Sequence, residues 1–189
     1  MRPTRMFAAA VLAVFAGGLA LAQEKVENPE YASWAKHKKG TAVTLKSTTV
    51  AGAINSESVI TTTLADIGAD SLTVEMAVTS KVNGMEFKNP PIKREIAKSV
   101  ALPAGVKKED FGKVAAGAKA EEGTETVKVG GAEYKAKWYK SKTKAGDGEV
   151  ESKVWMSDDV PGGLLKTVAT TTGATPATVT LEVVEVKKP

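Results

Sequence analysis

Two aspartates stand side by side at Asp158-Asp159, between Trp155 and a Pro161-Gly162-Gly163 turn. Adjacent carboxylates in such a place could activate water, hold a cation, or hydrogen-bond inside a turn. A hydrolase of the glycosidase kind needs two carboxyl groups facing each other across a sugar. Neighbours on an extended strand point to opposite faces, so adjacency argues against that arrangement. The same holds for Glu121-Glu122 and Glu109-Asp110. A calcium site asks for about six oxygens, and Asp147 with the Asp158-Asp159 pair makes no recognised loop. Ser157, Asp158 and Asp159 are good turn starters, and the Pro-Gly-Gly run completes a reversal. The pair therefore reads as an acidic corner, and a carboxylate-dependent hydrolase of the cell envelope is the alternative activity it allows.

Other chemistries have fewer residues to work with. His37 is the single histidine, set among Lys36, Lys38 and Lys39 where a basic cluster complements a helix C-terminus. Cysteine is absent, which removes disulfides and thiolate metal sites. No phosphate loop, HExxH or nucleophile elbow occurs, and no catalytic residue, cofactor or metal is assigned. The rings Trp138, Tyr139 and Trp155 are the candidate ligand contacts. Val150, Val154 and Met156 share one strand face, whereas Trp155 shares the other with Glu149, Glu151 and Lys153. A tryptophan among charges suits either a cover for the sheet edge or a groove, and on the groove reading Trp155→Ala weakens binding and leaves the fold intact.

The elements that would position these residues follow from the ends inward. Arg2 and Arg5 precede an apolar run from Met6 to Leu21, and Ala20 and Ala22 supply the small residues of a cleavage site. Residues 1–22 thus read as a signal peptide, too short for a confident membrane span. The expected mature chain is exported to the periplasm or beyond, with no transmembrane span. Removing 22 of 189 residues leaves 167, enough for one well-buried domain. Of 26 basic residues, 24 would remain against 22 acidic ones, well interspersed and with Arg94 the only arginine. That pattern speaks against nucleic-acid binding.

Residues 23–40 read as a short helical segment, with Asn28 as cap, Pro29 in the first turn and Tyr31 and Trp34 on one face. Residues 41–189 read as one antiparallel β domain. Leu72, Val74, Met76 and Val78 alternate with polar residues, and Asn83-Gly84 marks a hairpin into Met85–Lys88. Pro90-Pro91 must break the ladder that follows. Val179, Leu181 and Val183 alternate, but Val184 and Val186 fall out of phase, which implies a bulge. About nine strands are expected as a strongly curved, half-barrel-like meander. A polar connection over 103–125 divides it, with helical turns over Lys107–Ala115.

The stretch VWMSDDVPGGLLK (Val154–Lys166), with LPAGVKKEDF (Leu102–Phe111) and WYK (Trp138–Lys140), resembles exported bacterial β-rich proteins carrying a W-x-S-D-x-V-P-G-G-L-x-K type motif. Those have no assigned activity. At fold level, a helix followed by a curved antiparallel meander is similar to lipoprotein-carrier half-barrels of the LolA and LolB type. That resemblance implies an apolar face able to hold acyl chains. The leading expectation is a non-catalytic envelope module that binds a lipid-like ligand or a protein partner through its sheet face; a purely structural domain is the third reading. N-terminal sequencing of exported protein should begin at Gln23, and a mature envelope protein that retains Met1 would overturn the export reading.

Overall fold

The computed structural model describes residues 24–112, 121–146 and 148–189. The expected signal peptide with Gln23, the middle of the polar connection and Asp147 lie outside the described residues, as does part of the expected Lys107–Ala115 turns. Period-two sequence makes strands throughout: β1 Lys25–Glu27, β2 Ala42–Ala51, β3 Ile54–Ile67, β4 Ser71–Val82, β5 Met85–Lys88, β6 Ile92–Ala97 and β7 Ser99–Ala101. The second half supplies β8 Glu121–Val129, β9 Ala132–Ala145, β10 Gly148–Met156, β11 Leu164–Thr171 and β12 Ala177–Lys187. One open antiparallel sheet runs β5-β4-β3-β2-β12-β11-β10-β9-β8, with β6 also on β4, while β1 and β7 pair separately. Two meanders, β2–β6 and β8–β12, are therefore joined through β2 and β12.

The local signals act as chemistry demands. Val82 pairs with Met85 around Asn83 (φ 48°) and Gly84 (φ 88°), the positive-φ pair that a two-residue hairpin needs. Pro90-Pro91 splits one long edge partner of β4 in two. β5 pairs with Thr79–Val82 and β6 with Ser71–Met76, because proline lacks the N–H a ladder requires. The register of β12 against β2 skips at Val184, the bulge its out-of-phase valines imply. Strand β8 begins at Glu121, inside the stretch read as a polar connection. One face of it is charged or threonine and the other sets Gly123, Val127 and Val129 beside Glu121 and Glu125, so composition hid an edge strand. The short strands β1, β6 and β7 also escaped the sequence pattern.

Helix α1 (Pro29–Trp34) follows its cap: the Asn28 side chain accepts the Glu30 N–H at 3.0 Å. The same side chain donates to the Ala97 carbonyl at 3.0 Å, and Glu30 pairs with Arg94, which fixes the helix over β6. Tyr31 and Trp34 join the buried cluster with Val43, Leu64, Leu72, Val74, Ile96 and Val183. Those strand residues lie on one face by register. Val129, Ala136 and Trp155 are buried on the opposite face. The β8–β9 turn comes back to the middle of the sheet, where a Cβ on Gly130 would sit 3.4 Å from the Val184 carbonyl oxygen.

Gly84→Val tests the hairpin. Nothing lies within 4 Å of a Cβ built there, so the cost is purely conformational. It should be about 1 kcal/mol or more by urea denaturation. A loss of only a few tenths would show that the turn does not need its positive φ.

Candidate functional site: an uncharged sheet face and its end cleft

Antiparallel pairing places directly opposite residues on the same face. Following the register from β5 to β9 gives the row Phe87, Ser80, Ser58, Ser47, Leu181, Thr167, Val154 and Tyr139. The next row holds Met85, Val82, Ser56, Thr49, Val179, Ala169, Ser152 and Ser141. The third holds Ile54, Ala51, Ala177, Thr171, Val150 and Thr143. None of these side chains is charged at neutral pH. Some hydroxyls satisfy each other across strands, Ser58 with Ser80 and Ser141 with Ser152, both at 2.9 Å. Mutual pairing lowers the cost of drying this surface.

Among the described residues the same face is covered at one end only. Arg94 stands on it beside Val74 and is held by Glu30 of α1, so the helix lies over that end. Away from the helix, Met85, Phe87 and Ile92 are each more than half exposed, and Val82 and Val179 are also exposed. The reverse face carries the charges. Lys46–Glu57 (2.7 Å), Lys166–Glu182 (2.9 Å) and Glu151 with both Lys140 and Lys142 (2.9 Å each) form ion pairs there. Hydrogen bonds from Lys142 and Lys140 hold the Glu151 carboxyl below the usual range.

The candidate rings separate between the faces. Tyr139 closes the first uncharged row, whereas Trp138 and Trp155 pair directly on the charged face. The Lys153 ammonium lies 4.4 Å from each indole centroid. The Trp155 indole N–H donates to Glu125, which also lies 3.6 Å from Lys153. Gly123 lets Trp138 lie flat against β8, for a Cβ there would come within 2.7 Å of the ring. A groove of about 440 Å³ runs beside them, edged by Lys140, Glu151 and Val168. Of its charges, Lys140 pairs with Glu151 and Lys153 with Glu125, while Glu121 also lines it.

The acidic corner is built by other groups than its carboxylates. Ser157 N–H donates to the Gly163 carbonyl at 2.8 Å, and Asp159 N–H donates to the Ser157 hydroxyl at 3.4 Å. Val160 is fully buried, and its carbonyl accepts from Ser33 of α1 at 3.4 Å. Gly162 (φ 80°) faces the Trp34 indole. Thus the corner clamps the helix, while the Asp158 side chain is 97 % exposed and 4.0 Å from Lys36. His37 follows the helix with its Nε2 buried and unpaired among the described residues; burial, then Lys188 and Lys36, lowers its pKa.

A cleft of about 940 Å³ opens between this corner and β8–β9, and it brings Tyr139, Asp158 and Asp159 together with Lys135, Lys137, Thr124, Thr126 and Met156. The two lysines, like Met85, Phe87 and Ile92, were not singled out from sequence. The signal was available in Lys135-x-Lys137-x-Tyr139, three residues of one strand face. Among the described residues no group of three acids or histidine could hold a metal. No helix there is long and apolar enough to cross a membrane.

No family model and no curated protein matches the chain. Solved structures give weak likenesses. A candidate lipoprotein from Parabacteroides distasonis is 12 % identical with a TM-score of 0.43, over 80 % of this chain and 96 % of its own. A domain named as a candidate outer membrane lipoprotein-sorting protein from Vibrio parahaemolyticus is 11 % identical with a TM-score of 0.27, over 83 % and 89 %. A LolA superfamily protein from Nitrosomonas europaea is 10 % identical with a TM-score of 0.24, over 85 % and 92 %. Likenesses of this size assign no function.

Burial revises what substitution at the corner should do. Trp155 is 9 % exposed, so Trp155→Ala should cost stability, about 3–5 kcal/mol, and cannot act on binding alone. The double change Asp158→Ala with Asp159→Ala should cost under about 1 kcal/mol, since exposed ion pairs contribute little. Chemical denaturation of both variants checks the contrast, and the opposite order would refute this account of the corner.

Proposed function

We propose that the protein is an exported, non-catalytic module of the cell envelope that binds an apolar, lipid-like ligand on the uncharged face of its sheet. One observation carries the reading: successive cross-strand rows from Phe87 to Tyr139 and from Met85 to Ser141 hold no charge, yet among the described residues no second layer covers them beyond α1. Water gains little from such a surface. Covering an exposed apolar side chain contributes roughly 1.5–3 kcal/mol, so a few contacts with an acyl chain suffice for micromolar binding. A contiguous exposed apolar patch on a soluble chain ordinarily marks an interaction site. On this reading the corner carboxylates do not act as a hydrolase: the Asp158 side chain is almost wholly exposed, and the Ser157 hydroxyl makes the turn's side-chain bond. Of the three candidate rings, Tyr139 is the one this reading keeps as a ligand contact, and Trp138 and Trp155 stabilise the reverse face.

Protein purified from its own envelope and weighed intact should carry lipid. A fluorescent fatty acid should bind it, and Phe87→Glu with Ile92→Glu should weaken that binding about tenfold or more without lowering the melting temperature, both residues being more than half exposed. A chain that carries no lipid and takes up no probe would refute the reading; a co-purifying protein seated on the same face would redirect it to a protein partner.

A further inference from the structure

The apolar reading says what the ligand's tail meets; the end cleft bears on its headgroup. On β9 the face that ends the uncharged row at Tyr139 continues to Lys137 and Lys135. At about 3.3 Å per residue these stand roughly 7 and 13 Å beyond the ring. Both are exposed, and among the described residues neither forms an ion pair, unlike Lys140, Lys142 and Lys153 on the reverse face. Thr124 and Thr126 of β8 sit directly opposite them, so two ammonium groups and two hydroxyls share one wall of the cleft. The other wall carries Asp158 and Asp159. Glu125 of β8 also lines the cleft but is engaged by Trp155 and Lys153. Among the described residues no ion pair bridges the walls, and Asp158 has its ion pair with Lys36, at 4.0 Å. Opposite charges that face one cleft without meeting fit a ligand that bears both signs.

Resting on the apolar-ligand reading, we infer that the cleft receives a zwitterionic headgroup, a phosphate with a primary amine, from a phospholipid whose acyl chain lies on the uncharged face. Lys135, Lys137 and the two threonines donate to the phosphate oxygens. Asp158 and Asp159 accept from the ammonium N–H groups, which a quaternary amine lacks. Tyr139 and Met156 stand where head meets tail, both lining the cleft and both on the uncharged face.

Calorimetric titration of the full mature chain with lysophospholipids, below their micellar concentrations, separates the parts. Lysophosphatidylethanolamine should bind about tenfold tighter than lysophosphatidylcholine, whose amine cannot donate, or lysophosphatidylglycerol, which has none; one charge-assisted hydrogen bond is a gain of that order. Lys135→Gln with Lys137→Gln should weaken all three about equally. Asp158→Asn with Asp159→Asn should erase only the ethanolamine advantage. Glycerophosphoethanolamine, the headgroup alone, should show no measurable heat. Equal binding of the three lipids, unchanged by either pair of substitutions, would overturn the headgroup inference and leave the apolar site standing. Binding of none would sink the apolar reading itself, and the headgroup alone binding as tightly as the lysolipid would overturn their combination.

Discussion

The period of two along an extended chain governs this molecule. Side chains of neighbouring residues must leave a strand on opposite sides, and pairing carries that choice unchanged from strand to strand. Lysines and glutamates at one parity and serines, threonines and valines at the other become two surfaces of different kind. One is a lattice of ion pairs such as Lys166–Glu182 and Lys46–Glu57. The other holds cross-strand hydroxyl pairs and bare aliphatic groups. Bulges at Val184, Leu165 and Ala65 are tolerated because they fall near the end of the sheet where α1 and the corner pack, outside the uncharged rows.

That segregation also explains why the molecule needs so few rings. Trp34 and Tyr31 seal one face at the helix, while Trp155 and Trp138 close the other around Lys153. Two of the three tryptophans serve a joint: Trp34 meets Gly162 at the corner and Trp138 meets Gly123 on β8. A glycine at each joint lets the indole lie against backbone. The large ring thus replaces a second layer of structure at the places where the sheet must be held to something else.

Much of this was legible in the residues. The hairpin at Asn83-Gly84, the Asn28-Pro29 helix start, the proline break and the out-of-phase valines of β12 each rest on a local steric rule, and each appears in the structure where the rule put it. Long-range facts were less readable. That β2 pairs with β12 depends on distances of more than a hundred residues, and no local pattern encodes it. Tyr139 and Trp138 are adjacent in sequence, so treating them as one aromatic site ignored the alternation that sends them to opposite faces. The lysines at 135 and 137 looked like ordinary surface charge, and only the opposing Thr124, Thr126 and corner aspartates give them a setting.

The pairing of the first long strand with the last has a consequence for how the chain is made. β12 sits between β2 and β11 in the sheet, yet it is synthesised after every other strand there. A chain that emerges amino-terminus first, from a ribosome or through a pore, holds β2–β6 as a fragment whose β2 edge stays unpaired until residue 187 is free. Non-local closure of this kind slows folding, and during that wait the nascent chain offers an open strand edge to a chaperone or a channel. Late closure keeps the polypeptide threadable until β12 has passed.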